Sequence, residues 1–118
     1  MAYDDYLLER LALSFKLRRV VYTIRKMMGG ILFMVDEKMC IGLTRDKQSG
    51  EDLLIVRVGE EGQKVCLERA GCRPMDFTGR PLKGFVFVHP EGFDLEEDWG
   101  FWVGKALEYN PKAKKSKK

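Results

Sequence analysis

The sequence predicts an α+β domain, a two-layer sandwich in which helices cover an antiparallel sheet of about five strands. Three observations predict it. Apolar residues recur at helical spacing near both ends, at Tyr3, Leu7, Leu8, Leu11, Ala12 and Phe15 and again at Leu95, Trp99, Trp102, Val103, Ala106 and Leu107. Between them lie short runs of β-branched and aromatic residues punctuated by glycine and charged turns. Adjacent strands joined by such short turns pair antiparallel. The expected order is α-β-β-β-α-β-β-α.

The first helix is predicted over Tyr3–Lys16. Asp4 and Asp5 lie near its start and Lys16, Arg18 and Arg19 near its end, as the helix dipole favours. From Tyr22 the chain turns extended. Gly29-Gly30 reads as a bend or bulge, because neither a phosphate-loop pattern nor a following helix accompanies it. Ile31–Val35 and Met39–Leu43 read as strands joined by the tight turn Asp36-Glu37-Lys38. Residues 44–52 contain no apolar side chain and are expected to be a charged loop. Leu53–Val58 is the next strand, with Arg57 on the face of Leu53 and Ile55. A short helix is expected over Glu60–Ala70, with Val65, Cys66, Leu67 and Ala70 as its apolar face and Gly71 as its stop. Asp94 and Glu97 have capping-box spacing before the last helix.

A chain of 118 residues is one domain by size. It buries roughly 65% of the surface its unfolded form exposes, enough for a core without disulfides or a metal. The apolar runs are strand-length, too short to span a bilayer. Acids rather than bases precede the first apolar residues, so the expected location is cytoplasmic, away from membranes. The net charge of +3 comes from 21 bases and 18 acids. Five of those bases are Lys112, Lys114, Lys115, Lys117 and Lys118, which leaves 16 bases against 18 acids and a body of net charge −2. Residues 1–110 are thus expected to form the domain and 111–118 a disordered, lysine-rich tail. Such a tail can hold nucleic acid weakly by counterion release.

The residue chemistry argues against catalysis and metal binding. Cys40, Cys66 and Cys72 are odd in number and lack C-x-x-C spacing, and His89 is the single histidine. Reduced thiols acting as small core hydrophobes are expected, with His89 on the surface of a strand-to-helix turn. No cofactor is implied.

The stretch that carries the most information is 73–88. Met75 and Phe77 alternate with polar residues, Thr78-Gly79-Arg80-Pro81 forms a turn, and Phe85–Val88 returns as a strand. Arg73, Asp76, Arg80 and Lys83 ride on this hairpin, with Arg57 beside them on the sheet. An arginine makes planar, two-pronged contacts with carboxylates, so these five residues are the expected interaction surface. Asp76 could equally pair with Arg73 or Arg80 to pin the hairpin.

Several segments together resemble the TfoX/Sxy N-terminal domain family over about residues 2–109. They are Arg25–Gly30, Phe33–Val35, Lys38–Cys40, Leu54–Gly59 and, most specifically, Arg73–Gly84. The resemblance implies a small α+β domain of secretion-chaperone-like topology, a fold that often dimerises. It also implies a bacterial regulator without catalytic residues, linked to natural competence and acting with the cyclic-AMP receptor protein. Competence regulators carry a second, helical domain, and this chain is expected to be a standalone member lacking it.

The expected function is therefore non-enzymatic regulation through protein–protein contact, with a transcription factor or an RNA polymerase component as the partner. A homodimer is expected from Trp99, Phe101 and Trp102, more aromatic surface than one buried stripe needs. Nucleic-acid binding through the lysine tail, and a ligand or enzymatic pocket near Arg57, Cys40 and His89, are the alternatives.

Overall fold

A computed structural model describes residues 5–27, 30–46, 48–75 and 82–113. Helix α1 spans Asp5–Leu17 and buries Leu11 and Phe15. It ends in a Schellman turn. The Arg19 N–H bonds the Lys16 carbonyl and the Val20 N–H reaches back to that of Phe15, with Arg19 at φ 58° where glycine is usual.

Strands β1 (Thr23–Met27), β2 (Gly30–Val35), β3 (Lys38–Arg45) and β4 (Asp52–Arg57) form an antiparallel meander. Helix α2 (Gly59–Cys66) then leads to β5 (Cys72–Pro74) and β6 (Phe85–Val88). The sheet order is β1-β2-β3-β4-β6-β5, so β6 returns beside β4 and β5 takes the outer edge. Helix α3 (Glu96–Tyr109) closes the domain, followed by a 3₁₀ turn at Asn110–Lys112.

The α+β architecture is as the sequence predicts, with six strands in place of about five. Four strands, not three, precede α2. The additional strand is β1, whose described side chains are exposed. An edge strand needs no buried face, so apolar patterning marks it poorly.

The 44–52 loop is shorter than expected. Arg45 and Asp52 are cross-strand partners, and the Arg45 Nε donates to Asp52 Oδ1 at 3.1 Å. That pair zips the ends of the connection into β3 and β4. Helix α2 is also shorter than predicted. After Cys66 the backbone bonds shift from i−4 to i−3, Glu68 to Val65 and Arg69 to Cys66, which unwinds the helix. Of its expected apolar face only Cys66 is buried; Val65 and Leu67 are exposed.

The cap of α3 lies one residue later than the Asp94/Glu97 pattern suggests. Leu95 is the cap residue, and the Asp98 carboxylate accepts its N–H at 3.2 Å. Leu95 is exposed rather than on the buried stripe. Phe93 fills that place, edge-on to Trp99 with ring centroids 5.4 Å apart.

The sheet has two apolar faces. On one, Ile31, Phe33, Ile41, Leu43, Leu54, Val56, Val86 and Val88 meet Leu11 and Phe15 of α1, Cys66 of α2, and Trp99, Trp102, Val103 and Ala106 of α3. On the other, Leu32, Met34, Leu53, Ile55, Met75, Phe85 and Phe87 form a second buried cluster, which no helical residue joins among those described. Both faces being apolar explains why β2 and β4 read as continuous apolar runs rather than alternating ones. Phe33 pairs with Ile41 and Met34 with Met39, which leaves Cys40 as a bulge residue turned into the helix-side core. Trp99 and Trp102 are core, so the dimer seam expected from them loses its two largest rings to the interior.

Candidate functional site

Arg57 ends β4 directly opposite Phe85, and Arg73 lies in β5 directly opposite Phe87. Cross-strand partners share a face. Both arginines therefore stand on the helix-free face, over the second apolar cluster, as the alternation of Leu53, Ile55 and Arg57 predicts. The Arg57 guanidinium carbon lies 5.3 Å from the Phe85 ring centroid and 5.9 Å from that of Tyr109. That of Arg73 lies 4.9 Å from Phe87. A guanidinium over an aromatic ring is held by the ring quadrupole and loses little further freedom when it meets a carboxylate.

Helix α2 fixes this end of the sheet. The Gln63 amide donates to the Phe85 carbonyl at 2.9 Å and accepts the Gly84 N–H at 3.3 Å. The Gly84 carbonyl in turn accepts the N–H groups of Val58 and Gly59 at 2.8 and 3.0 Å. Gly59 has φ +82°, and a Cβ there would meet the Tyr109 ring at 2.5 Å. These contacts hold Lys83, exposed in the turn before β6, at the same end as Arg57. Asp76 and Arg80, and the turn 78–81, lie outside the described residues. The Leu82 N–H bonds the Met75 carbonyl at 2.8 Å, so the chain returns beside the point it left.

Arg73 also belongs to a polar cluster at the β5 edge. Its Nε donates to His89 Nε2 at 2.9 Å, His89 Nδ1 lies 2.8 Å from Glu51 Oε1, and an Arg73 terminal nitrogen is 4.0 Å from Asp46 Oδ2. This chain of bonds sets the tautomer. Nε2 accepts from arginine, so the proton is on Nδ1 and points at the carboxylate. The imidazole lone pair that a general base would use is occupied. The Gln48 backbone N–H holds the Asp46 carboxyl below its usual range, against a cost of burial and with lesser help from the Ser49 hydroxyl and Arg73. Glu51, Asp46 and His89 were not singled out as Arg73 partners from the sequence. They come from a loop and a strand end about forty residues apart, and no local spacing announces their meeting.

The three thiols are poor nucleophiles. Burial pushes Cys40 up to about 12, against the pull of Arg57, and burial likewise pushes Cys72 up to about 12. Cys66 is raised by burial as well. Keeping these groups neutral stabilises the fold fully below the ordinary thiol value of 9.0, and the contribution is lost as pH rises from there toward 12. The native protein at pH 8 is expected to react with iodoacetamide far more slowly than the urea-unfolded chain, and stability to fall above pH 9. Rapid labelling of the native protein would show the thiols to be accessible.

The pocket expected near Arg57, Cys40 and His89 does not assemble. Cys40 is in the helix-side core, Arg57 is on the opposite face, and His89 is tied to Arg73. A cleft of about 570 Å³ lies between the start of α2 and the end of α3 and is lined by none of the three. Among the described residues no three His, Cys, Asp or Glu side chains gather as metal ligands. No described helix is long and apolar enough to cross a membrane.

Lys38 was expected as a turn residue and is instead a buried clamp. Its Nζ donates to the Asn110 carbonyl at 3.1 Å and approaches that of Pro111 at 3.4 Å, while the Asn110 amide donates to the Val35 carbonyl at 3.2 Å. A cation on carbonyls at a helix C-terminus is favoured by the helix dipole. Ala113 beyond it is also buried.

The TfoX N-terminal domain family matches residues 18–109, most of the chain, and the chain belongs to that family. No curated protein and no solved structure matches it.

Proposed function

From membership in the TfoX N-terminal domain family, which implies a regulatory type of role, we propose that this protein acts by docking on another protein and not by catalysis. The observation that carries the reading is the pair of guanidiniums, Arg57 and Arg73, seated over Phe85 and Phe87 on one face of the sheet with Lys83 exposed nearby. Aromatic residues and arginines are the usual anchors of protein interfaces. Arg57 and Lys83 at one end of the sheet, with Arg73 farther along the same face, suit a partner that presents carboxylates. In a transcriptional or competence role, that partner is a transcription factor or an RNA polymerase component in the cytoplasm, and contact with promoter DNA runs through it. The raised thiols and the occupied His89 nitrogens support docking over nucleophilic chemistry.

Affinity capture from the native bacterium, comparing wild type with Arg57→Ala plus Lys83→Ala, tests this. Loss of two anchor side chains at about 1–2 kcal/mol each lowers recovery of the specific partner about tenfold or more. Equal recovery with both baits would defeat the surface assignment.

A further inference from the structure

Helix α1 carries a second apolar stripe that the fold does not use. Tyr6, Leu13 and Leu17 recur at seven- and four-residue spacing and lie on the side of the helix opposite buried Leu11 and Phe15. They are 60%, 53% and 74% exposed. Two further exposed apolar residues follow directly: Val21, and Ile24 on β1. Ile24 lies opposite Phe33, which packs on Phe15, so it flanks α1 on the helical side of the sheet. Among the described residues, five of the nine large exposed apolar side chains thus lie on α1 and the segment that follows it into β1. Singly exposed apolar residues need no explanation, but a stripe along a helix does.

The charges beside the stripe select its occupant. Exposed Asp5 and Glu9 lie at the start of α1 and exposed Lys16 at its end. Glu9 and Lys16 project from the same side of the stripe at seven-residue spacing. A second copy of α1 running antiparallel about a two-fold axis brings Tyr6 against Leu17 and Leu13 near the helix midpoint. The same axis places each Glu9 beside the other copy's Lys16. A parallel copy would place the two Glu9 side chains on opposite rims, and the two Lys16 likewise, and would form no Glu9–Lys16 pair.

We propose that two copies of this chain associate through α1 in this antiparallel arrangement, with Tyr6, Leu13 and Leu17 at the contact and reciprocal Glu9–Lys16 pairs at its rim. The contact is isologous, so it closes at two subunits. It lies on the helical side of the molecule, whereas Arg57 and Arg73 stand on the helix-free face of the sheet, so a dimer leaves the proposed partner surface accessible.

Sedimentation equilibrium over about a hundredfold concentration range tests the proposal. The wild-type protein is expected to pass from monomer to dimer. Leu13→Asp, at an exposed position that leaves the fold intact by circular dichroism, is expected to weaken association by about a hundredfold, because both copies lose the contact. Glu9→Lys or Lys16→Glu alone turns two attractions into repulsions and weakens it about tenfold. The double variant Glu9→Lys, Lys16→Glu is expected to return to near the wild-type value, a restoration that only a second copy of the same helix can give. A wild-type monomer at every concentration would assign the stripe to a foreign partner and overturn the proposal. So would a dimer indifferent to Leu13→Asp, or a double variant no better than the single ones. Arg57→Ala plus Lys83→Ala is expected to leave this equilibrium unchanged, so failure here and failure of the docking reading are separable.

Discussion

Trp102→Ala is expected to cost about 3–5 kcal/mol of folding stability, seen as a large drop in the urea midpoint with an unchanged slope. Trp102 is fully buried and lies in the α3 layer between the sheet and the 3₁₀ turn at Pro90–Gly92. Truncation opens a cavity where α3 meets the sheet. It also removes the indole N–H that donates to the Gly92 carbonyl at 2.8 Å. That carbonyl is buried, so its loss of a partner adds about 1–3 kcal/mol to the packing term. Trp102→Phe separates the two. It keeps most of the volume and should cost mainly the hydrogen bond. A Trp102→Ala variant as stable as wild type would mean that α3 does not pack as described.

Gly42→Val is expected to destabilise by about 4 kcal/mol or more, and to yield little folded protein. Gly42 lies in β3, paired with Leu32 on one side and Ile55 on the other. A Cβ there would run into the Ile31 carbonyl and meet Leu32 Cδ2 at 2.5 Å. The carbonyl is backbone in the β2–β3 ladder and cannot move aside without breaking it. Thermal unfolding by circular dichroism reads the effect directly. A Gly42→Val protein that melts near the wild-type temperature would place β2 and β3 further apart than they are here.

Much of this fold is legible in the residues because the physics is local. The spacing of Leu11 and Phe15, or of Trp99, Trp102, Val103 and Ala106, repeats at the helical period and needs no tertiary knowledge. The Asp36-Glu37 turn and the side of β4 on which Arg57 stands follow from similarly short-range rules. What was not legible depends on partners distant in the chain. Thr44, Arg45 and Asp52 look like loop until Arg45 and Asp52 face each other across a ladder. Lys38 looks like a solvated turn residue until the end of α3 arrives with two carbonyls to bind it. Val65 and Leu67 look like a core face and are exposed, because α2 buries little beyond Cys66. At the candidate site, Arg57, Arg73 and Lys83 were identified by charge and strand position. The phenylalanines beneath the two arginines were visible only as strand residues. The His89–Glu51 bridge that orients Arg73 was not visible at all, because it joins positions 38 residues apart.

The most direct test follows the side-chain signals of the two arginines while the captured partner is added to the labelled protein. Binding on this face of the sheet should shift the Nε–H resonances of Arg57 and Arg73 and the ring resonances of Phe85 and Phe87, leaving those around Cys66, buried in the helix-side core, in place. Shifts confined to the thiols or to the cleft between α2 and α3, with both arginine signals unmoved, would contradict the account.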